Sequence, residues 1–252
     1  MTPRILALAA AFLSAATFFP AAGLAGEDVT YQVDGEAFEG YRAPAKGGEA
    51  KGLVLVVQDW DGLTGYEKKR ADMLSELGYD AFALDLYGKG NRPEDTGAKK
   101  AEMQGLYEDR ARMRKLLLAG LSEARKGSDK ESVVVMGYCF GGAAALELAA
   151  SGEAEDVAGY ATFHGGLNNL HDQSYPEETP PILVAHGALD SSVSMKDVAR
   201  LSEALEKSDV PYEIDIYSGA PHGFTVFGSD AYQTRADEKS WDAFTGFLEE
   251  QL

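Results

Sequence analysis

Three side chains that together can perform nucleophilic acyl chemistry are spread over the second half of the chain: Cys139, Asp190 and His222. Cys139 is the only cysteine and lies at the centre of residues 137–141, GYCFG. This is the spacing of the G-x-S-x-G nucleophile elbow, with cysteine in the serine position. The glycines allow a turn too tight for Cβ atoms, which holds the nucleophile in a strained conformation. The helix-forming residues that follow would aim their amides at the sulfur, which favours thiolate over thiol.

The order and placement of the three residues predict their roles. Each follows a predicted strand, and the functional groups of parallel α/β sheets gather at the C-terminal strand ends. The order nucleophile, acid, histidine is that of α/β-hydrolases. Cys139 would attack an acyl carbon to form a thioester, His222 would carry the proton, and Asp190 would orient the imidazole. The backbone amides of Phe140 and Trp60 are expected to bind the oxyanion.

The elements that must position these residues follow from the apolar pattern. Short continuous apolar runs predict strands, helical spacing predicts helices, and Asp34-Gly35 predicts the turn of a hairpin. Strands are expected at 53–57, 81–86, 132–136, 157–163, 181–186 and 212–217, and helices at 66–77, 141–150, 194–207 and 232–250. The amphipathic segment 98–126 is expected to be helical, with Gly105 and Gly120 interrupting or ending its helices. Strands alternating with helices predict a single-domain α/β fold with a mostly parallel sheet flanked by helices.

The N-terminal residues 1–25 have the pattern of a secretory signal peptide. Arg4 precedes an uncharged apolar stretch, and 23–25 (GLA) resembles a small-x-small cleavage site. The strongest apolar part, residues 5–19, is shorter than the roughly 20 residues of a transmembrane helix, the alternative interpretation. The sequence therefore predicts an exported protein, periplasmic or secreted, whose mature domain spans 26–252 and does not stay membrane-associated.

Charge and cysteine count limit the partners. The formal net charge is −18, which argues against nucleic acid and anionic membrane surfaces as partners. A single cysteine excludes an internal disulfide, and a lone thiol in an oxidising compartment suggests a function. The four histidines have no paired spacing, so no metal site is expected. The oligomeric state stays open.

Several motifs together resemble the dienelactone hydrolase family. They are GYCFGG at 137–142, His186-Gly187 ahead of Asp190, GAPHGF at 219–224, VVQDWDGL at 56–63 and DLYG at 85–88. The resemblance covers nearly the whole mature chain. It implies an α/β-hydrolase fold, a Cys-Asp-His triad, no cofactor, and hydrolysis of enol-lactones or other small-molecule esters.

The chain departs from the family pattern at three positions near the expected site. Where the family has a glutamate that engages the resting thiol, this chain has Asp59. Lys89 is matched to an arginine that helps to bind the substrate carboxylate, and is therefore a predicted substrate contact. A second arginine is replaced by Val226. The resemblance thus implies the reaction type but only part of a carboxylate clamp.

Other interpretations of the same residues stay open. Cys139 can be a buried structural thiol, Asp190 can cap the helix that begins near Ser194, and His222 can be a solvated loop residue. The other histidines are His164, which also follows a strand but precedes the acid, His171, and His186, which ends a strand and is expected to be a packed scaffold residue. The alternative functions are a thioesterase or acyl-transfer enzyme on the same triad, and a non-catalytic ligand-binding or thiol redox-sensing protein.

Overall fold

The computed structural model describes residues 26–170 and 173–252. The predicted signal peptide (1–25) and His171 lie outside the described residues. The strands are β1 Glu27–Val33, β2 Glu36–Ala43, β3 Leu53–Val57, β4 Asp80–Leu84, β5 Val133–Tyr138, β6 Val157–Phe163, β7 Ile182–Gly187 and β8 Tyr212–Tyr217. The helices are α1 Gly65–Glu76, α2 Thr96–Glu108, α3 Arg110–Arg125, α4 Phe140–Ser151, α5 Met195–Lys207 and α6 Thr234–Gln251, with one 3-10 turn at Leu167–Asn169.

The eight strands form one sheet in the order β1-β2-β4-β3-β5-β6-β7-β8. The hairpin β1–β2 is antiparallel and turns through Asp34 and Gly35, both at positive φ, as the Asp-Gly pair predicts. Strand β2 joins β4 antiparallel, and the remaining pairs are all parallel. The predicted α/β fold with a mostly parallel sheet is confirmed.

Both faces of the sheet are buried, which explains why the central strands are apolar throughout. All five residues of β3 and all six of β5 are buried. Apolar residues of α1 and α6 cover one face, and those of α2 to α5 cover the other. Within the described ranges, no helix has the length and hydropathy that crossing a membrane requires.

The amphipathic segment does not break at the predicted glycines. Gly105 and Gly120 lie inside α2 and α3, and the chain turns instead at Asp109. The Asp109 carboxylate accepts the backbone N–H of Arg112 and so caps the second helix. Gly120 has a packing role, since a Cβ there would lie 3.2 Å from the Leu84 side chain. The glycine at 120 thus permits close approach to the sheet and does not end the helix.

Candidate active site

Cys139 occupies the turn between β5 and α4, with φ 49° and ψ −110°. Such a conformation is strained for a residue with a side chain and persists only where the surroundings fix it. The flanking glycines allow the turn: a Cβ on Gly137 would lie 2.2 Å from the Gly141 carbonyl oxygen, and one on Gly141 would lie 2.3 Å from that of Gln58. The structure therefore gives residues 137–141 the geometry of a nucleophile elbow.

The structure brings the three predicted side chains together at the C-terminal ends of β5, β7 and β8. His222 Nε2 lies 3.1 Å from Cys139 Sγ, and His222 Nδ1 lies 2.7 Å from Asp190 Oδ2. The other Asp190 oxygen accepts the backbone N–H groups of Ser192 and Val193, each at 2.8 Å. Asp190 thus fixes its own loop, as the capping interpretation expects, and also contacts the imidazole.

In the Asp190–His222 pair, the pKa of the carboxyl is lowered and the pKa of the imidazole is raised. Burial alone would raise the pKa of Asp190, but its hydrogen bond to His222, the imidazole charge and the two backbone amides lower it overall. Burial would likewise lower the pKa of His222, but the Asp190 hydrogen bond and the charges of Asp190 and Asp59 raise it above its ordinary value. The pair therefore favours an ionised carboxylate beside an imidazole that readily takes up a proton.

The thiol itself is held protonated, contrary to the expectation from the helix N-terminus. Burial raises the pKa of Cys139 well above its ordinary value, and the charge of Asp59 together with a hydrogen bond to that carboxylate raises it further. The Phe140 N–H at the start of α4 acts in the other direction but does not outweigh them. The resting Cys139 side chain is thus a neutral thiol, because desolvation and a nearby anion exceed the effect of the helix amides.

Asp59 lies on the loop after β3, beside the sulfur. Its Oδ1 accepts the Trp60 backbone N–H at 2.5 Å, and its own backbone N–H donates to the buried Glu67 at 3.1 Å. Burial, followed by the charge of Asp61, raises the pKa of Asp59 to about 6. Asp59 therefore occupies one of the two amides that the sequence assigns to the oxyanion, and its charge helps to raise the pKa of the thiol. An oxyanion can use the Trp60 amide once this carboxylate has moved away or become protonated.

Cys139 and His222 line a cavity of about 450 Å³. Its walls are mostly apolar and include Trp60, Met103, Tyr107, Phe140, Val193 and Val226. A larger cleft of about 640 Å³ lies against α5 and contains none of the predicted site residues. In the described part of the chain, no group of three or more metal-ligating side chains could hold a metal ion. The cavity beside Cys139 is thus the candidate substrate site, since Cys139 and His222 both line it.

Lys89, the predicted substrate contact, does not line this cavity. Its Nζ donates to Thr30 Oγ1 at 3.0 Å, and its backbone N–H donates to the Ala37 carbonyl, so it belongs to the hairpin side of the molecule. Gly88, at φ 102°, turns the chain in that direction. The family motif matches Lys89 to the arginine by its position in the sequence, but this position does not predict the path of the loop that carries Lys89.

The lysine at the cavity is Lys100, which the motifs did not indicate. It lies in the first turns of α2 and is exposed. Its neighbour Lys99 pairs with Asp61 at 3.5 Å, whereas no ion pair involves Lys100 within the described ranges. The only sequence signal was the position of Lys100 at the start of the amphipathic segment 98–126.

Comparisons with known proteins identify the family and the fold. The model of the family described as the dienelactone hydrolase family matches residues 38–252. An Aquifex aeolicus protein named as a carboxymethylenebutenolidase is 27% identical over 235 residues, which are 90% of this chain and 99% of that protein. Two solved structures each align over 90% of this chain and 98% of their own: one named m3DLH (28% identity, TM-score 0.79) and a dienelactone hydrolase-like promiscuous phosphotriesterase from metagenomic libraries (27%, 0.78).

Proposed function

The chain belongs to the dienelactone hydrolase family and is a hydrolase of lactone or ester bonds, and we propose that it works through Cys139 as nucleophile and a thioester intermediate. The observation that carries this proposal is the continuous contact from Cys139 Sγ to His222 Nε2 (3.1 Å) and from His222 Nδ1 to Asp190 Oδ2 (2.7 Å). Nucleophile, base and orienting acid are thereby within hydrogen-bond reach of one another, as covalent catalysis requires.

The first half of the reaction starts from the neutral thiol. The sulfur attacks the substrate carbonyl carbon while its proton passes to His222 Nε2, and Asp190 stabilises the resulting imidazolium. The carbonyl oxygen becomes an oxyanion, which the Phe140 amide and the Trp60 amide, once released by Asp59, would bind. The intermediate collapses to a thioester as the alkoxide or enolate leaves and takes the proton from His222.

The second half of the reaction hydrolyses the thioester. Water attacks the acyl carbon, its proton passes to His222, and the Cys139 sulfur leaves and regains a proton. A lactone gives one ring-opened hydroxy- or keto-acid, because its alkoxide or enolate stays attached to the acyl group. The cavity of about 450 Å³ suits a small ester or lactone, and Lys100 offers a cation for a carboxylate on the substrate.

Replacement of the nucleophile tests this mechanism. Hydrolysis of a small activated ester should fall at least about 1000-fold in Cys139→Ala, and iodoacetamide should abolish it in the wild type. The wild type should also show a burst of acylation, and the acylated protein should gain the mass of the acyl group at Cys139. Full turnover by a folded Cys139→Ala variant would show that the cysteine is not the nucleophile.

Phosphotriester hydrolysis is a second candidate activity at the same site. It is favoured by the likeness to the structure named as a promiscuous phosphotriesterase. Parallel assays with an ester, a lactone, a thioester and a phosphotriester would rank these reactions, including the thioesterase alternative. Sensitivity of every measured activity to Cys139→Ala would assign them to one nucleophile. A phosphotriester rate that survives this substitution would exclude the second candidate at this site.

We propose further that the protein is exported and processed near residue 25. The support is the apolar segment 5–19 followed by the small residues at 23–25. N-terminal sequencing of the protein recovered from the extracytoplasmic fraction should begin near Gly26. An intact N-terminus in a cytoplasmic fraction would contradict the proposal.

A further inference from the structure

We propose that the buried His164 is a positioning residue that fixes the imidazole of His222 relative to the Cys139 sulfur. This inference rests on the proposed function, since it assigns the part of the scaffold that sets the distance between nucleophile and base. It concerns a side chain that neither touches the cavity nor belongs to the triad. The observations that carry it are the contacts of residues 163–166, at the C-terminal end of β6, with both reacting residues.

The segment 163–166 first holds the nucleophile by its backbone. The Cys139 N–H donates to the Phe163 carbonyl at 3.0 Å, and the Cys139 carbonyl accepts the Gly166 N–H at 2.9 Å. Both backbone polar groups of the strained cysteine are therefore satisfied by one short segment. His164 lies inside that segment, and its own N–H donates to the Ala185 carbonyl in β7 at 2.8 Å. The segment thus ties the nucleophile turn to the neighbouring strand.

The His164 side chain then holds the loop that carries the base. Its ring lies edge-to-face against the ring of His222, with centroids 5.3 Å apart, and against that of Phe224, at 5.4 Å. Its Nε2 is hydrogen-bonded to Thr225 Oγ1 at 2.7 Å. One fully buried side chain therefore contacts three of the four residues 222–225. A shift of His164 would move His222 together with its loop.

Thr225 is itself held from the opposite side, so the contact with His164 is made to a rigid point. Tyr66 Oη lies 2.6 Å from Thr225 Oγ1, and Arg70 donates to the Thr225 carbonyl at 2.8 Å. Arg70 is buried and forms an ion pair with Asp237 of α6. The loop of His222 is consequently clamped between α1 and the segment after β6, which is the arrangement that positioning requires.

The backbone of His164 indicates that a side chain is needed there. Its φ is 41°, in the left-handed region, where a residue with a side chain is strained. Glycine would adopt this conformation without strain, and the next two residues are Gly165 and Gly166. A histidine at the strained position, with both the ring contacts and the hydrogen bond to Thr225, is consistent with a functional side chain.

The groups around the ring keep His164 neutral. Burial lowers its pKa well below the ordinary value, and the nearby charges of His222, Arg70 and His186 lower it further. The ring of Tyr138 also packs against it, at 5.9 Å. A neutral ring beside His222 lets the catalytic imidazole take up the thiol proton without a second positive charge next to it. His164 can therefore orient His222 without competing for the proton.

Two variants separate the ring contact from the hydrogen bond. His164→Phe keeps an aromatic ring but loses the bond to Thr225, and Thr225→Val removes the same bond from the other side. Each should lower kcat for the activated ester about 10- to 100-fold, with KM within about 2-fold, because the base is misplaced while the cavity is unchanged. The double variant should lose little more than either single one, since both break the same contact.

The matched control is His186→Phe, which replaces an equally buried histidine at the end of β7. It should lower the melting temperature as His164→Phe does but leave kcat per folded molecule within about 2-fold. The rate at which iodoacetamide alkylates Cys139, measured as a function of pH, is a readout that needs no substrate. The inflection of this curve that reports the titration of His222 should shift or flatten in His164→Phe and Thr225→Val but not in His186→Phe. His164→Gln, which can still reach Thr225, should recover part of the rate.

The proposal is overturned if folded His164→Phe and Thr225→Val keep wild-type kcat and the wild-type alkylation profile. It is equally overturned if His186→Phe loses kcat as much as they do, because the effect would then be general destabilisation. If His164→Phe does not fold, Thr225→Val and His164→Gln decide by the same readouts. Cys139→Ala in the same assay separates the two proposals, since turnover by that variant would refute the proposed function whatever His164 does.

Discussion

Replacing Asp59 with asparagine should stabilise the protein at neutral pH. Burial and the charge of Asp61 raise the pKa of Asp59 from its ordinary value of 3.8 to about 6. The folded state therefore binds more protons than the unfolded state between these two values, and stability falls as the pH rises through this window. The difference corresponds to about 3 kcal/mol of destabilisation, fully present above about pH 6 and absent below about pH 4. Asparagine has a similar shape but carries no charge that would have to be desolvated.

Urea unfolding of the wild type and of Asp59→Asn at a series of pH values between 4 and 8 measures this effect. The variant should be more stable by about 3 kcal/mol at pH 7.5, and the gain should shrink as the pH approaches 4. Glu177→Gln, at an exposed carboxylate, is the control and should show no such trend. The same variant should shift the alkylation midpoint of Cys139 to lower pH, because Asp59 helps to raise the pKa of the thiol.

Two outcomes would refute this reasoning. A stability difference that does not vary with pH would mean that the Asp59 carboxylate is not penalised by its burial. A variant that loses stability as the pH rises, relative to the wild type, would mean that the ionised form is the favoured one. In addition, if the alkylation midpoint of Cys139 were the same in Asp59→Asn as in the wild type, Asp59 would not contribute to the raised pKa of the thiol. Burial alone would then account for that pKa.

Three further predictions follow from the site. The pH profile of kcat/KM should have an acid limb with its midpoint above 6.5, because only neutral imidazole accepts the thiol proton. Burial lowers the pKa of His222, but the hydrogen bond to Asp190 raises it overall. A midpoint below 6.5 would contradict this. Lys100→Ala should raise KM about 10-fold for a carboxylate-bearing ester and leave a neutral ester within about 2-fold, as steady-state kinetics on both esters would measure; equal effects on both would argue against a substrate contact. Gly141→Ala should destabilise the fold by about 3 kcal/mol or more in thermal unfolding, since its Cβ would lie 2.3 Å from a backbone oxygen. The control Gly246→Ala, with open space around it, should change stability by less than about 1 kcal/mol.

The sequence predicts the centre of the sheet well because the central strands are buried on both faces. The runs at 53–57 and 157–163 coincide with β3 and β6, whereas β8, at the edge of the sheet, alternates apolar and acidic residues and is predicted by that pattern. Continuous burial leaves a continuous apolar run, and the Asp-Gly turn of the hairpin has its own conformational signature. The approach of Cys139, Asp190 and His222 follows from a topological rule, since parallel strands end at one edge of the sheet.

The remaining features depend on contacts that no local pattern encodes. The break between α2 and α3 occurs at Asp109 because its carboxylate caps the following helix, whereas Gly120 serves packing against β4. Lys89 turns toward Thr30 because of the loop path, and Lys100 reaches the cavity because α2 lies over it. The sequence places His164 after a strand and gives it no role, and its contacts with His222 and Thr225 appear only after three loops converge.

The protonation state of Cys139 connects these observations with the chemistry of a lone thiol. Oxidants and alkylating agents attack the thiolate, so a raised pKa protects the sulfur while the site is empty. The same carboxylate that raises this pKa also occupies the Trp60 amide. Displacement of Asp59 by a substrate carbonyl would therefore free an amide for the oxyanion and remove an anion from beside the sulfur in one step. The nucleophile would gain reactivity at the moment when an acyl group is in place to receive it.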